Sequence, residues 1–140
     1  MKKLLFIYIA SLLAFSSACS RPDGDIVKPG VSLPPVTGLT LVKVDAKNVK
    51  LTWTVPKTIP DEIQQPLSVN VEVKEIVTIT KTNPVTTANL ADPATEFAFE
   101  LPDPEKTYHF TVKVFSVTKQ VDKNYSSSIY SLGQTVVYTR

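Results

Sequence analysis

Hydrophobic and polar residues alternate with a period of two through most of the chain after Pro35. This alternation is typical of β-strands that turn one face to a core and the other to water. No window carries an apolar stripe of helical period long enough for a helix. The pattern predicts an all-β fold, a seven-stranded antiparallel β-sandwich of about 100 residues. The predicted strands lie around Leu39–Leu41, Val49–Thr54, Leu67–Thr80, Val85–Thr87, Phe97–Leu101, Tyr108–Phe115 and Gln134–Thr139.

The same alternation predicts which side chains fill the core. In the third strand Val77 and Ile79 keep the parity of the preceding valines, so they are expected to face inward as well. His109 and Phe115 fall on the outward parity of the sixth strand. The residues expected in one buried core are Trp53, Val71, Phe97, Phe99, Tyr108, Phe110 and Val112.

The N-terminus has the pattern of an export signal. Lys2 and Lys3 precede an apolar run from Leu4 to Phe15. As a helix this run would measure about 18 Å, which is shorter than the hydrocarbon core of a bilayer, about 30 Å. Residues 1–18 are therefore predicted to form a cleavable signal peptide rather than a spanning helix.

Small residues and one cysteine follow the apolar run. Ser16 and Ala18 suit the −3 and −1 positions of signal cleavage before Cys19, the only cysteine of the chain. The arrangement resembles the lipobox of bacterial lipoproteins, although Ser16 stands where that motif usually has Leu. The resemblance implies acylation of Cys19 and an exported outer-membrane lipoprotein, held to the membrane by its acyl chains and facing the periplasm or the cell surface. Ordinary secretion and an incidental buried thiol remain the alternatives.

Residues 19–34 are rich in proline and polar residues, and are interpreted as an extended tether of at most about 50 Å. Asp23 and Asp25 resemble the acidic sorting signals of surface lipoproteins in Bacteroidetes; a solvated linker explains them equally well. The whole chain resembles small Bacteroidetes lipoproteins, which implies a location and no activity. Residues 35–140 are predicted to form the folded domain.

Charge and composition narrow the partners of this domain. The chain has 15 basic and 13 acidic residues. Without Lys2 and Lys3 the two numbers are equal, so nucleic acid is not an expected partner. A single Cys and a single His exclude disulfide scaffolds and zinc fingers. Neither a metal nor a cofactor is expected.

Three segments resemble the fibronectin type III domain. Pro34–Leu39 resembles its proline-entered first strand, and Val49–Trp53 resembles its second strand with the core tryptophan. Pro104 and Tyr108 resemble its corner between the fifth and sixth strands. That family usually has Leu six residues before this tyrosine, where Pro102 stands here. The resemblance implies a sandwich in which the Tyr108 hydroxyl bonds upstream backbone.

Groups suited to catalysis are sparse, and no catalytic residue is predicted. His109 is the only imidazole, and it is interpreted as an exposed sheet residue. Glycosidase chemistry needs two carboxyl groups facing each other across a cleft, whereas the outward face of a small sandwich is flat or convex. The carboxylate pairs are therefore interpreted as solubilising: Glu72/Glu75, Glu96/Glu100, Asp103/Glu105 and Asp61/Glu62.

Binding surfaces are the better expectation, because loops on a rigid sandwich often carry function. Residues 56–66, with Ile59 and Ile63 predicted to be exposed, are expected to cluster with residues 118–128, which include Tyr125. Phe115, with Tyr130 nearby, predicts an outward aromatic patch. The predicted function is a non-catalytic module that binds a protein or glycan partner. The alternative is a structural spacer or accessory subunit of an outer-membrane lipoprotein assembly.

Overall fold

The structure, a computed structural model, describes residues 30–120 and 126–140. Within these ranges the chain forms eight β-strands and no helix. The predicted all-β antiparallel sandwich is confirmed, with one strand more than expected. The strands are β1 (Thr37–Lys43), β2 (Asn48–Thr54), β3 (Ser68–Ile76), β4 (Thr82–Leu90), β5 (Glu96–Glu100), β6 (Tyr108–Val117), β7 (Ser128–Tyr130) and β8 (Gln134–Tyr138).

Two sheets face each other across the core. The first has three strands in the order β1-β2-β5, and the second has five, in the order β4-β3-β6-β7 with β8 also paired to β6. β7 was not predicted, because its three residues are too few for an alternation to be visible. β7 pairs with one half of β6 and β8 with the other, so the last segment of the chain breaks into two strands.

The core lies between the inner faces of β2, β3 and β6. On β6 the inward side chains Tyr108, Phe110 and Val112 are at most 1% exposed. The expected burial is confirmed for these residues and for Trp53 and Val71. The indole nitrogen of Trp53 also donates a hydrogen bond of 2.7 Å to the Ala94 carbonyl.

The expected full burial of Phe97 and Phe99 is wrong, because both are half-buried. They lie on β5, an edge strand of the three-stranded sheet, so only part of each ring is covered. Both still pack against the core, and Phe99 meets the Phe110 ring edge-on at 5.6 Å between centroids.

The third predicted strand is too long at its C-terminal end. β3 ends at Ile76, and the next residues turn, with the Val77 amide donating to the Lys81 carbonyl at 2.9 Å. Val77 is 44% exposed and Ile79 is fully exposed, so the expectation that they face inward is wrong.

The fourth strand, by contrast, is longer than predicted, since β4 starts at Thr82 and includes Pro84. Proline is tolerated there because β4 is an edge strand and a register shift lies opposite, between Val73 and Lys74.

The tyrosine corner implied by the family resemblance is present. The Tyr108 hydroxyl donates to the Asp103 carbonyl at 3.0 Å and accepts a hydrogen bond from the Asp103 amide at 3.2 Å. Leu101, one position before the family's usual leucine, is 2% exposed and therefore still fills the core. Burial of the ring raises the pKa of the Tyr108 hydroxyl above its usual range.

The core begins before the predicted domain boundary at residue 35. Leu33 is 2% exposed, and Val31 packs against the core. Both are apolar residues within a proline-rich segment, which composition alone had assigned to the tether. The compact unit accordingly spans Val31–Arg140.

Candidate functional site

An aromatic pair lies on the outer face of the five-stranded sheet. Phe115 of β6 is directly opposite Tyr130 of β7, and their ring centroids are 4.7 Å apart at a tilt of 38°. Phe115 is half-buried, whereas Tyr130 is 54% exposed. The prediction that Phe115 faces outward is confirmed, and the structure brings it together with Tyr130 as expected.

Polar groups lie one step along the strands from this pair. The Asn70 amide nitrogen donates to the Asn89 side-chain oxygen at 2.7 Å, which joins β3 to β4. On the other side of Asn70, Lys113 of β6 is its direct cross-strand neighbour. We call the surface formed by Asn70, Asn89, Lys113, Phe115 and Tyr130 the aromatic face.

The chain between β7 and β8 limits the aromatic face at its β8 side. A side-chain carbon on Gly133 would lie 2.7 Å from the Thr111 methyl group and 3.2 Å from the Lys113 Cε. Glycine is therefore required for the backbone to pass so close to β6. The Lys113 stem runs against this backbone. Among the described residues Lys113 takes part in none of the ion pairs.

Farther along the same outer face the side chains bond one another. Lys74 and Glu72 form an ion pair of 2.9 Å, and the hydroxyls of Thr111 and Thr135 are 2.8 Å apart. His109 faces outward as predicted, with Lys74 and Val137 as its cross-strand neighbours. Neither neighbour is a carboxylate, a hydroxyl or a thiol, so these cross-strand pairs do not build a Ser-His-Asp type of triad around His109.

Three of the predicted carboxylate pairs have a member that binds a cation. Glu75 binds Lys106 at 2.9 Å, and Glu96 binds Lys50 at 2.7 Å. Glu105 binds Arg140 at 2.7 Å. Within residues 30–120 and 126–140, no three His, Cys, Asp or Glu side chains are grouped so that they could hold a metal ion.

The two loops predicted to cluster do meet at one end of the sandwich, which we call the loop pole. The Gln64 amide donates to the Val117 carbonyl at 2.8 Å, and the Lys119 amide donates to the Glu62 carbonyl at 2.8 Å. Ile63 lies between them in an isolated bridge to Thr118 and is 1% exposed. The predicted exposure of Ile63 is therefore wrong, because this bridge holds it in the core.

A groove of about 410 Å³ opens at the loop pole. Ile59 lines it together with Leu67, Pro66 and Pro93, so its wall is largely apolar. Ile59 is half-buried and packs against the core, which leaves only part of its side chain for contact with another molecule. The volume is within the range of small-molecule pockets, about 300–1,000 Å³.

Two predicted site residues, Cys19 and Tyr125, lie outside the described residues. Three members of the aromatic face were missed by sequence reasoning, namely Asn70, Asn89 and Lys113. Parity already placed Asn70 and Lys113 on outward positions of their strands. What was missing is the register that sets them beside the aromatic pair, and that register joins segments far apart in the chain.

None of the described residues belongs to a helix that is long and apolar enough to cross a membrane.

Comparison with known proteins adds a family and a fold. Residues 19–138 match the family described as "Domain of unknown function (DUF4945)". No curated protein matches the chain. The chain is similar to the third fibronectin III domain of the human KIAA0343 protein, at 14% identity and a TM-score of 0.55, over 85% of this chain and 92% of that one. It is also similar to an FN3 domain of human collagen XX, at 17% identity and a TM-score of 0.49, over 79% and 97% of the two chains. The first of these similarities supports a fibronectin type III-like sandwich and says nothing about a ligand.

Proposed function

We propose that this chain, which belongs to the family described as "Domain of unknown function (DUF4945)", is a lipid-anchored module of the cell envelope. In this proposal it is not an enzyme. It recognises a protein or glycan partner through the aromatic face, while its core serves only to hold that face in place.

The outward Phe115–Tyr130 pair, in which Phe115 is half-buried and Tyr130 is exposed, is the observation that carries this proposal. Tyr130 leaves more than half of its surface in water, at 54% exposure. A solvent-exposed tyrosine ring is suited to a partner surface that is apolar where it meets the ring and polar where it meets the hydroxyl. Aromatic residues of this kind dominate the energetics of many interfaces, and they offer a flat surface to a sugar ring.

The polar residues of the aromatic face could orient a bound partner through hydrogen bonds. Asn70 and Asn89 bond each other through one donor and one acceptor, and each amide has further hydrogen-bonding groups. Lys113, the cross-strand neighbour of Asn70, adds a cation to the same outer face, with its stem against Gly133. A partner with hydroxyl, amide or carboxylate groups next to an apolar patch matches this arrangement.

A non-catalytic role is supported by how the ionisable groups are used. Glu72, Glu75, Glu96 and Glu105 are each paired with lysine or arginine. The outward histidine has no carboxylate as its cross-strand neighbour. Catalysis by these groups would need them aimed at one point where a substrate sits.

Binding is tested with a glycan array and a pull-down from solubilised envelopes, each performed with the whole chain. We expect Tyr130→Ala and Phe115→Ala to weaken the binding of the captured protein or glycan strongly. Val137→Ala is the matched control, because Val137 is a 45% exposed apolar residue near the other end of the same outer face. Equal binding by all three variants would refute recognition through the aromatic face.

The lipid anchor is proposed separately. It is supported by the lipobox-like sequence before Cys19 and by a family match that begins at Cys19. Mass spectrometry of the membrane fraction should show an acylated N-terminal Cys19, and Cys19→Ala should release the protein from the membrane. Recovery of an unmodified soluble wild-type protein would refute the anchor and leave the binding proposal standing.

A second candidate function, an accessory subunit of an envelope assembly, is favoured by the turn between β3 and β4. Val77 and Ile79 are exposed there, and Ile79 is fully so. This turn is at the end of the sandwich opposite the loop pole, because β3 begins at that pole. Stable co-purification of an envelope protein that is lost with Ile79→Ser, but kept with Tyr130→Ala, would favour the accessory role.

A further inference from the structure

β4 is a long edge strand without charge. It has nine residues, none of them ionisable. Within the described residues β4 pairs with β3 alone, so its other side presents free backbone donors and acceptors. An exposed edge of this kind is a template for another strand, and proteins usually block it with charges, prolines or bulges. Here Pro84 and the register shift lie near the start of β4, and residues 86–90 have no such protection.

The other edges are treated differently. β5 has only five residues and begins and ends with glutamate. On the opposite side of the sandwich β1 lies next to β8, and the Lys43 ammonium sits 4.8 Å from the centre of the Tyr138 ring. β4 is therefore the one long edge, among those described, that is neither charged nor approached by another strand.

We propose that β4 pairs in antiparallel fashion with β4 of a second copy of this chain. A copy of itself suits this edge because neither strand brings a charge, whereas like charges placed opposite each other destabilise a sheet. With the two-fold axis at Thr87, near the middle of β4, Thr87 would lie opposite Thr87 of the second copy, and Thr86 opposite its Ala88. Cross-strand threonine pairs are favourable. Such a contact uses the same surface on both copies, so it closes into a dimer and does not propagate.

Dimerisation through β4 would join the two five-stranded sheets into one. A two-fold axis perpendicular to the sheet keeps the outer faces of both copies on the same side. The two aromatic faces would then be presented together, and two linked sites bind a multivalent partner more tightly than either site alone. This consequence rests on the proposed function, whereas the pairing itself does not.

The test is the oligomeric state of the full chain, purified in detergent and measured by sedimentation over a range of concentrations. We expect a dimer for the wild type and a monomer for Thr87→Lys, which places two lysines near each other at the edge. The matched control is Ala98→Lys in the middle of β5, which should remain dimeric. Circular dichroism of each variant verifies that the strands are retained.

Cross-linking in membranes provides a second measurement. Thr86→Cys, Thr87→Cys and Ala88→Cys are oxidised one at a time, beside the wild type and Ala98→Cys. We expect a disulfide-linked homodimer with at least one of the β4 cysteines and with neither control. A monomeric wild type at every concentration, dimer loss with Ala98→Lys instead of Thr87→Lys, or β4 cross-links only to a different protein would overturn the proposal. Because none of these readings uses the aromatic face, they are independent of whether it binds a ligand.

Discussion

The two faces of β6 show how one strand divides its tasks. The inward residues Phe110, Val112 and Val114 are fully buried. The outward residues Lys113 and Phe115 are half-buried and lie beside an exposed tyrosine and a pair of asparagines. Both faces share one backbone and differ by a single step in parity. The comparison teaches that the outer face can be changed without opening the core, because the two sets of side chains pack against different neighbours.

The largest expected effect comes from removing a phenylalanine from each face. Phe110→Ala should lower the free energy of unfolding by about 3–5 kcal/mol, because it leaves a cavity in the core. Phe115→Ala leaves no closed cavity, so its loss should be smaller: about 0.5–1.5 kcal/mol for the contact with Tyr130, in addition to the apolar area that the half-buried ring covers. Urea unfolding of both variants measures the difference. Similar losses at the two positions would mean that Phe115 belongs to the core and that the division of β6 is wrong.

The second comparison uses a tyrosine of the core, Tyr108, and a tyrosine of the outer face, Tyr130. Tyr108→Phe removes the hydroxyl that satisfies both the amide and the carbonyl of Asp103. Leaving these groups unpaired should cost about 1–3 kcal/mol. Tyr130→Phe removes an exposed hydroxyl, and its effect should stay within about 0.5 kcal/mol. Thermal unfolding distinguishes them, and a Tyr130→Phe variant as unstable as Tyr108→Phe would contradict this account of the corner.

A third prediction concerns the close approach of the Gly133 backbone to the outer face of β6. Gly133→Ala puts a methyl group within contact of the Thr111 methyl, at 2.7 Å. Overpacking of this kind costs about 1–3 kcal/mol in a core, and we expect the lower end of that range at this exposed site. Thr111→Ser removes the opposing methyl and should restore most of the loss in the double variant. No rescue would show that Gly133 is needed for another reason.

The smallest expected effect lies outside both faces, in the turn between β1 and β2. The Asp45 carboxylate accepts hydrogen bonds from the amides of Lys47 and Asn48, both at 2.8 Å. The first of these bonds, followed by those from Asn48, holds the pKa of Asp45 below its usual range. A pKa that is lower in the folded state gives stability above the unfolded pKa, about 3.9, and loses it as the pH falls through the folded value.

Asp45→Ala should therefore destabilise the domain slightly at neutral pH. The difference in stability from the wild type should shrink as the pH falls below the pKa of the carboxyl in the unfolded state. Melting temperatures over a pH series measure it, with Asp61→Ala as the control for losing an exposed loop carboxylate. A difference that does not change with pH would mean that the charge of Asp45 plays no part in the turn.

Parity predicted the fold and the inward residues because alternation is a local signal and needs no knowledge of partners. It failed where the local sequence contains no mark of a turn or of a contact with a distant segment. Val77 and Ile79 continue the alternation through a turn that contains neither glycine nor proline. Ile63 is buried by a bridge to Thr118, which is far away along the chain. The aromatic face was half predicted, since Phe115 is visible from parity. Asn89 joins it only through the register of β3 and β4, which the sequence does not display.

Recognition by the aromatic face is tested most directly by photo-crosslinking in living cells. A photoreactive amino acid replaces Tyr130 in one variant and Val137 in another, so that both probe the outer face at different ends. We predict an adduct at position 130 that disappears when Phe115→Ala is added, and none at position 137. Absence of an adduct at 130, or equal adducts at both positions, would contradict recognition by the aromatic face.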